Sequence, residues 1–94
     1  MEFSFIFDSK LEAKILAWFE KHKHECESIG LATQPESTHY HIKKVKEKGT
    51  LELTVSPANE DGSSEYLFQM RANRYAAWGA ETVENILQKF DLEA

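Results

Sequence analysis

The sequence predicts a two-layer α+β fold in which a four-stranded mixed sheet carries both helices on one face, in the order β-α-β-β-β-α. Three observations support this prediction. Four segments alternate apolar and polar residues in steps of two, as half-buried strands do. Two other segments repeat apolar residues in steps of three and four, as amphipathic helices do. Since each strand has one apolar face, we expect both helices to cover that face.

Length and composition indicate one small globular domain spanning 1–94. Apolar residues make up 41% of the chain and aromatic residues 12%, which supplies a packed core and disfavours intrinsic disorder. The formal net charge of -5 disfavours broad binding to nucleic acid or membranes. A single cysteine excludes an internal disulfide, and we find no signal-peptide pattern and no apolar stretch that could span a membrane. We therefore expect a cytoplasmic protein.

The first strand is predicted over 2–7 and the first helix over 8–30. In the strand, the three phenylalanines at alternate positions share one face. Gly30 is a natural stop for the helix. A β-α-β step of this kind predicts that the first two strands are parallel and joined by a right-handed crossover. The apolar stripe of the helix is formed by Leu11, Ile15, Trp18, His22, Cys26 and Ile29.

Residues 39–57 are predicted to form a hairpin that contributes the second and third strands. The fourth strand follows over 66–72, and a second amphipathic helix over 80–90 closes the chain. The stretches on either side of the hairpin, 31–38 and 56–65, contain proline and small polar residues and are predicted to be loops.

The register of the hairpin decides which of its side chains are buried. A four-residue turn over "KEKG" gives Gly49 the left-handed position that such turns often need. It places Tyr40 opposite Val55 and Ile42 opposite Leu53 on the core side. A three-residue turn would exchange the two faces and bury two histidines and a lysine. Burial of Tyr40 and Ile42 is worth roughly 3–6 kcal/mol together, so we predict the first register.

The four histidines and the single cysteine lie close together in the sequence, which suggests a metal site. His22 and Cys26 share a helix face, while His39 and His41 share a strand face, so together they offer a tetrahedral zinc ligand set. The predicted register places the two pairs on opposite sides of the sheet. We therefore predict no metal and no cofactor, with these four residues as the alternative metal ligands. His24 is predicted to face solvent.

The outer face of the sheet is the predicted binding surface, because no third layer is available to cover it. His39, His41 and Lys43 are predicted to lie there, within a locally basic stretch over 39–48. Arg71 of the fourth strand is predicted to share this face. Phosphate groups or acidic proteins are the ligands that such a surface suits.

Arg74 is the fifth predicted binding residue. It lies in the stretch 73–79, which the pattern leaves open among a loop, a helical turn and an extension of the strand. Arginine, tyrosine and tryptophan are the residues that most often anchor interfaces. Trp78, at the end of this stretch, is instead predicted to cover the open end of the core, because large aromatic side chains mostly pack.

These features predict a small non-catalytic binding module. We expect it to contact another protein, or a second copy of itself in a homodimer, through the open sheet face or an edge strand. An adaptor, inhibitor or immunity-type role would suit such an acidic domain. An enzyme is disfavoured, because the chain lacks a glycine-rich phosphate loop and a nucleophile elbow, and because Cys26 lies on a core-facing stripe.

Two alternatives stay open: a metal-binding protein using the His/Cys cluster, and a nucleic-acid-binding domain using the basic second strand. The predicted αβββα portion resembles double-stranded-RNA-binding domains in its order of elements. The final helix lacks the lysine run that those domains have at its start. The predicted outer face also lacks aromatic side chains for base stacking. A protein partner is therefore favoured over nucleic acid, and no membrane partner is expected.

Overall fold

A computed structural model describes residues 2–8, 10–30, 37–57 and 65–92. The α+β class is confirmed, with five strands and two helices in these ranges. Most of the two predicted loops, over 31–38 and 56–65, lies outside the described residues. Neither described helix is long and apolar enough to cross a membrane. The elements are β1 (Glu2–Asp8), α1 (Leu11–Lys21), β2 (His24–Gly30), β3 (Thr38–Lys44), β4 (Leu51–Pro57), β5 (Glu65–Ala72) and α2 (Gly79–Lys89).

The five strands form one sheet in the order β1-β5-β4-β3-β2, and every pair of neighbours is antiparallel. The predicted four-stranded mixed sheet is therefore wrong in strand number and in direction. β1 and β2 do not pair as parallel neighbours, because they lie at opposite edges and α1 carries the chain from one edge to the other. The observed order β-α-β-β-β-β-α also departs from the element order of double-stranded-RNA-binding domains.

The predicted helix over 8–30 is in fact a shorter helix followed by a strand. α1 ends at Lys21, and Lys23 adopts a left-handed conformation with φ 65°, which stops helical continuation. The residues of β2 then alternate, so that Cys26 packs against the core while the two glutamates beside it are exposed. β2 has only one β-branched residue, Ile29, so its strand conformation depends on pairing with β3 along its whole length.

One hydrophobic core joins the apolar face of the sheet to both helices. Leu11, Ile15 and Phe19 contribute from α1, and Val83 and Ile86 contribute from α2. Both helices therefore pack on the same side, which leaves the other face of the sheet uncovered by the described part of the chain. The largest fully buried side chains are Phe19, Phe68, Ile15, Ile42, Leu51, Leu53, Met70, Ile86 and Val83.

The hairpin of β3 and β4 has the predicted faces but not the predicted pairs. Ile42 lies opposite Leu51 and Tyr40 opposite Leu53, a shift of two residues from the prediction. Because strand side chains alternate with a period of two, this shift keeps Tyr40 and Ile42 on the core side. The connection is longer than the predicted four-residue turn. Gly49 nevertheless takes the predicted left-handed conformation, with φ 90°.

Residues 73–78, left open by the sequence, form two successive turns that lead into α2. Each turn is closed by a backbone hydrogen bond, of 3.0 and 2.9 Å. Trp78 covers the end of the core as predicted, with 8% of its surface exposed, and its indole Nε1 donates to the carbonyl of Lys48 (2.8 Å). Tyr75, in the same stretch, is exposed on the surface.

The hydroxyl of Tyr40 donates a hydrogen bond to the carboxylate of Glu12, which links β3 to α1. Burial, followed by this hydrogen bond, raises the pKa of Tyr40. This hydrogen bond helps to fix the position of α1 over β3, in addition to the apolar packing between them.

Candidate functional site

The face of the sheet opposite the helices contains a cluster formed by His39, His41 and Glu52. The two histidines are two residues apart on β3, so they share this face. Glu52 lies directly opposite His41 on β4, and Thr54 lies directly opposite His39. The cluster is therefore built on two paired strands, which hold side chains more rigidly than loops do.

The polar atoms of the cluster converge on one carboxylate oxygen. Nε2 of His41 lies 3.4 Å from Oε1 of Glu52, and Nε2 of His39 lies 3.8 Å from the same oxygen. Nδ1 of His39 is 2.8 Å from Oγ1 of Thr54. The two imidazole rings meet edge to face, with 5.0 Å between their centroids. The side chain of His39 is 16% exposed and that of Glu52 is 40% exposed, so solvent reaches the cluster.

Two depressions adjoin the cluster. The larger, of about 900 Å³, extends from His41 and Glu52 to the turns before α2 and is also lined by Arg71 and Arg74. The smaller, of about 340 Å³, is lined by His39 among others. Glu52 and Arg71 line both depressions.

The structure brings most of the predicted binding residues together. His39, His41 and Arg71 lie on the outer face, and Arg74 lies at the far rim of the larger depression. The guanidinium of Arg74 is 4.8 Å from the centre of the neighbouring tyrosine ring and donates to its hydroxyl (2.6 Å). Lys43 is exposed on the same face but lies one step further along β3, opposite a glutamate of β2.

Glu52 is the residue whose role the sequence analysis missed. The predicted register would place Glu52 opposite Lys43, as one half of an ordinary cross-strand ion pair. The observed register places it opposite His41 and within reach of His39. The alternation in "LELTV" does assign Glu52 to the outer face, but alternation alone does not identify the residue that it faces.

The alternative metal ligands do not converge. Cys26 lies opposite Ile42 on the inner face of the sheet, whereas the two histidines of β3 lie on the outer face. His22 lies at the end of α1, where its ring stacks on Trp18 with 4.1 Å between centroids. Its Nδ1 donates to the carbonyl of the same tryptophan (2.8 Å). The sheet therefore separates the thiol from the imidazoles of β3.

The thiol of Cys26 is held in its neutral form. Burial, followed by the carboxylate of Glu20, raises the pKa of Cys26 from 9.0 to about 11. Because the thiolate is the nucleophilic form, this environment does not support a catalytic cysteine.

We expect Cys26 in the folded protein to react with iodoacetamide about 100-fold more slowly at pH 8 than in urea-unfolded protein, because its thiolate fraction falls by about that factor. The measurement is the alkylation rate by mass spectrometry, with a free cysteine peptide as the reference. Equal rates in the two states would show that the thiol is accessible and ionised.

His24 is buried, contrary to the prediction that it faces solvent. The reason is that α1 has already ended and His24 begins β2 on the inner face, with only 6% of its surface exposed. Its ring packs against Phe19 and Trp78, and its Nδ1 donates to the carbonyl of Phe19 (3.1 Å). Nε2 has no hydrogen-bond partner. Burial lowers the pKa of His24, with a smaller contribution in the same direction from Lys44.

The lowered pKa of His24 makes stability depend on pH. As the pH falls below about 6.5, the unfolded chain binds this proton before the folded protein does, so the free energy of unfolding is expected to fall. The loss has an upper limit of about 1.4 kcal/mol per pH unit for one proton. Urea denaturation at several pH values would measure it. His24→Gln should flatten the dependence, whereas His22→Gln, at the exposed neighbouring histidine, should preserve it.

The outer face thus offers two kinds of chemistry: imidazole and carboxylate donors for a cation, and arginines at the rim for acidic groups. A fold by itself does not specify a function, which depends on the chemistry of such sites. Comparison of the chain with models of protein families, with curated proteins and with solved structures gave no match.

Proposed function

We propose that this chain is a small non-catalytic binding module of the cytoplasm, which contacts another protein through the edge strand β1 and the adjoining outer face. The observation that supports this proposal is that β1 is an edge strand of the sheet. Its seven residues pair without interruption with β5 on one side, while within the described ranges the other side has no neighbouring strand. Such an edge presents a row of backbone donors and acceptors that an extended segment can pair with.

Between its two terminal acidic residues, β1 lacks the features that usually protect an edge strand. It contains no lysine or proline, and its register with β5 has no bulge. Ile6 is 56% exposed on the outer face, and Phe7 is 43% exposed on the opposite one. The other edge strand, β2, instead has Glu25 and Glu27 exposed on its outer side. An added strand is therefore expected at β1, where it would also bury apolar surface.

The charge of β1 favours a partner other than a second copy. Glu2 and Asp8 lie at its two ends, and the chain has a net charge of -5. An extended segment with basic residues at its ends would complement this edge, whereas a second copy would contribute the same acidic groups. We propose an adaptor, inhibitor or immunity-type role for such a contact.

No observation favours a nucleic-acid interface on the basic stretch. By the alternation of β3, Lys43 points to the outer face and Lys44 to the inner one, so the lysines do not form a single patch. Lys43 also lies opposite Glu25. In the described strands, the outer face has no Phe, Tyr or Trp on which bases could stack.

A pair of matched lysine variants tests the β1 contact. Ile6→Lys and Val45→Lys both replace an exposed β-branched residue, 56% and 46% exposed, but only Ile6 lies on β1. Each variant would serve as bait in a pull-down from native extract, after circular dichroism has verified its fold. We expect a partner that the wild type and Val45→Lys retain and that Ile6→Lys loses.

Retention of the same partner by Ile6→Lys would contradict the proposed contact. Sedimentation equilibrium of the wild type separates the two partner classes. A dimer that Ile6→Lys dissociates would assign the edge to a second copy and would overturn the assignment to another protein.

A further inference from the structure

We propose that His39, His41 and Glu52 form a binding site for a divalent transition-metal ion of the zinc class. Two imidazoles and one carboxylate are a ligand set that suits such ions and that leaves at least one coordination position open. The site lies on β3 and β4, which β5 separates from β1, and the metal proposal does not depend on a protein partner.

The donor atoms are close to the spacing that one ion requires. With bonds of about 2.0–2.2 Å, the donors of a tetrahedral zinc site lie roughly 3.3–3.6 Å apart. The separation between Nε2 of His41 and Oε1 of Glu52 is 3.4 Å, and that between Nε2 of His39 and the same oxygen is 3.8 Å. One donor atom from each residue lies within 4.8 Å of the others. Small side-chain rotations would complete the set without moving either strand.

The hydrogen bond to Thr54 prepares His39 for a metal. When Nδ1 of His39 donates to Oγ1 of Thr54, Nε2 has no proton and its lone pair is available on the side of Glu52. Metal-bound histidines usually donate their second ring nitrogen to a fixed partner in this way. Thr54 is therefore a positioning residue, and Glu52 and His41 complete the ligands.

The convergence of these groups requires either an N–H donor or a cation between the acceptor atoms. A carboxylate oxygen and an unprotonated imidazole nitrogen are both acceptors, so they repel each other unless a proton or a cation lies between them. Arg71 lies opposite Glu52 on β5, but its Nε lies 4.0 Å from Oε1 of Glu2, with which it pairs. The larger depression beside His41 and Glu52 leaves room for water or a further ligand on the ion.

The test is calorimetric titration of the wild type with Zn²⁺ near pH 7.5, together with the visible absorption of bound Co²⁺. We expect one ion per chain, with an affinity that falls as the pH is lowered, because protons compete with the ion for the ligand nitrogens. His39→Ala, His41→Ala and Glu52→Gln are each expected to weaken binding about tenfold or more, and Thr54→Val about tenfold. If an alanine variant fails to fold, the nearly isosteric Glu52→Gln still provides the test.

Three variants are expected to bind as the wild type does. His22→Ala removes an exposed histidine elsewhere, Cys26→Ser removes the thiol, and Ile6→Lys alters only the β1 edge. Loss of binding in His22→Ala or Cys26→Ser would overturn the assigned ligand set. Absence of Zn²⁺ binding below about 1 mM would also overturn the proposal and would identify the cluster as metal-free contacts between the two histidines and Glu52. Neither result depends on whether Ile6→Lys loses its protein partner.

Discussion

Gly49→Ala is expected to lower the free energy of unfolding by about 2–5 kcal/mol. Gly49 has a φ of 90°, in the left-handed region that residues with a Cβ atom rarely adopt. An added Cβ would also overlap the backbone nitrogen of Ala76 and would lie 2.5 Å from the carbonyl carbon of Tyr75. Because both obstacles are backbone atoms, the β3–β4 connection would have to move away from the turns before α2. That movement would strain the hydrogen bond from Trp78 to Lys48.

Gly79→Ala is the matched comparison for this variant. Its added Cβ would lie 2.5 Å from the Cβ of Ala72, which is a side-chain atom. The double variant Ala72→Gly/Gly79→Ala is therefore expected to be more stable than the sum of the two single changes implies. Urea denaturation followed by circular dichroism gives the free energy of unfolding of the wild type and of each variant. An unchanged midpoint for Gly49→Ala would contradict the close approach of the two segments.

Phe68→Ala is expected to lower the free energy of unfolding by about 3–5 kcal/mol, the usual cost of emptying a buried aromatic position. Phe68 has no exposed surface and lies at the centre of the core on β5. Its ring stacks on Phe5 of β1, with 5.2 Å between centroids, and it lies opposite Val55 of β4. The substitution therefore weakens contacts with both neighbouring strands. Chemical denaturation measures the loss.

Phe7→Ala is the control for Phe68→Ala. Phe7 is the same residue type and lies on the same side of the sheet, but it is 43% exposed at the rim. Its truncation is expected to cost less than about 1 kcal/mol. Similar losses in the two variants would show that the core does not centre on Phe68.

The local features of the fold could be predicted because each depends on a short-range rule. The two-residue alternation in β3 and β4 places Tyr40 and Ile42 inward and His39 and His41 outward, and a register shift of two residues does not alter this. Gly49 and Trp78 were also predicted correctly. A left-handed turn position favours glycine wherever it occurs, and a large aromatic side chain favours burial.

The length of the first helix could not be predicted, because two periods fit the same residues. His22, Cys26 and Ile29 continue the helical stripe of α1, yet His24 and Cys26 also alternate with the glutamates as a strand would. Local propensity does not favour a strand here. The strand is favoured by pairing of the whole segment with β3. This pairing joins parts of the chain that are separated in sequence.

The sequence by itself determined the class of the fold, the faces of the central strands and the outward position of the two histidines of β3. Only the tertiary structure decided that β5 pairs with β1, that His24 is buried and that Glu52 lies opposite His41. The physical reason is the range of the interactions. Alternation and turn conformation act between residues a few positions apart, whereas strand order and register depend on packing across the whole core.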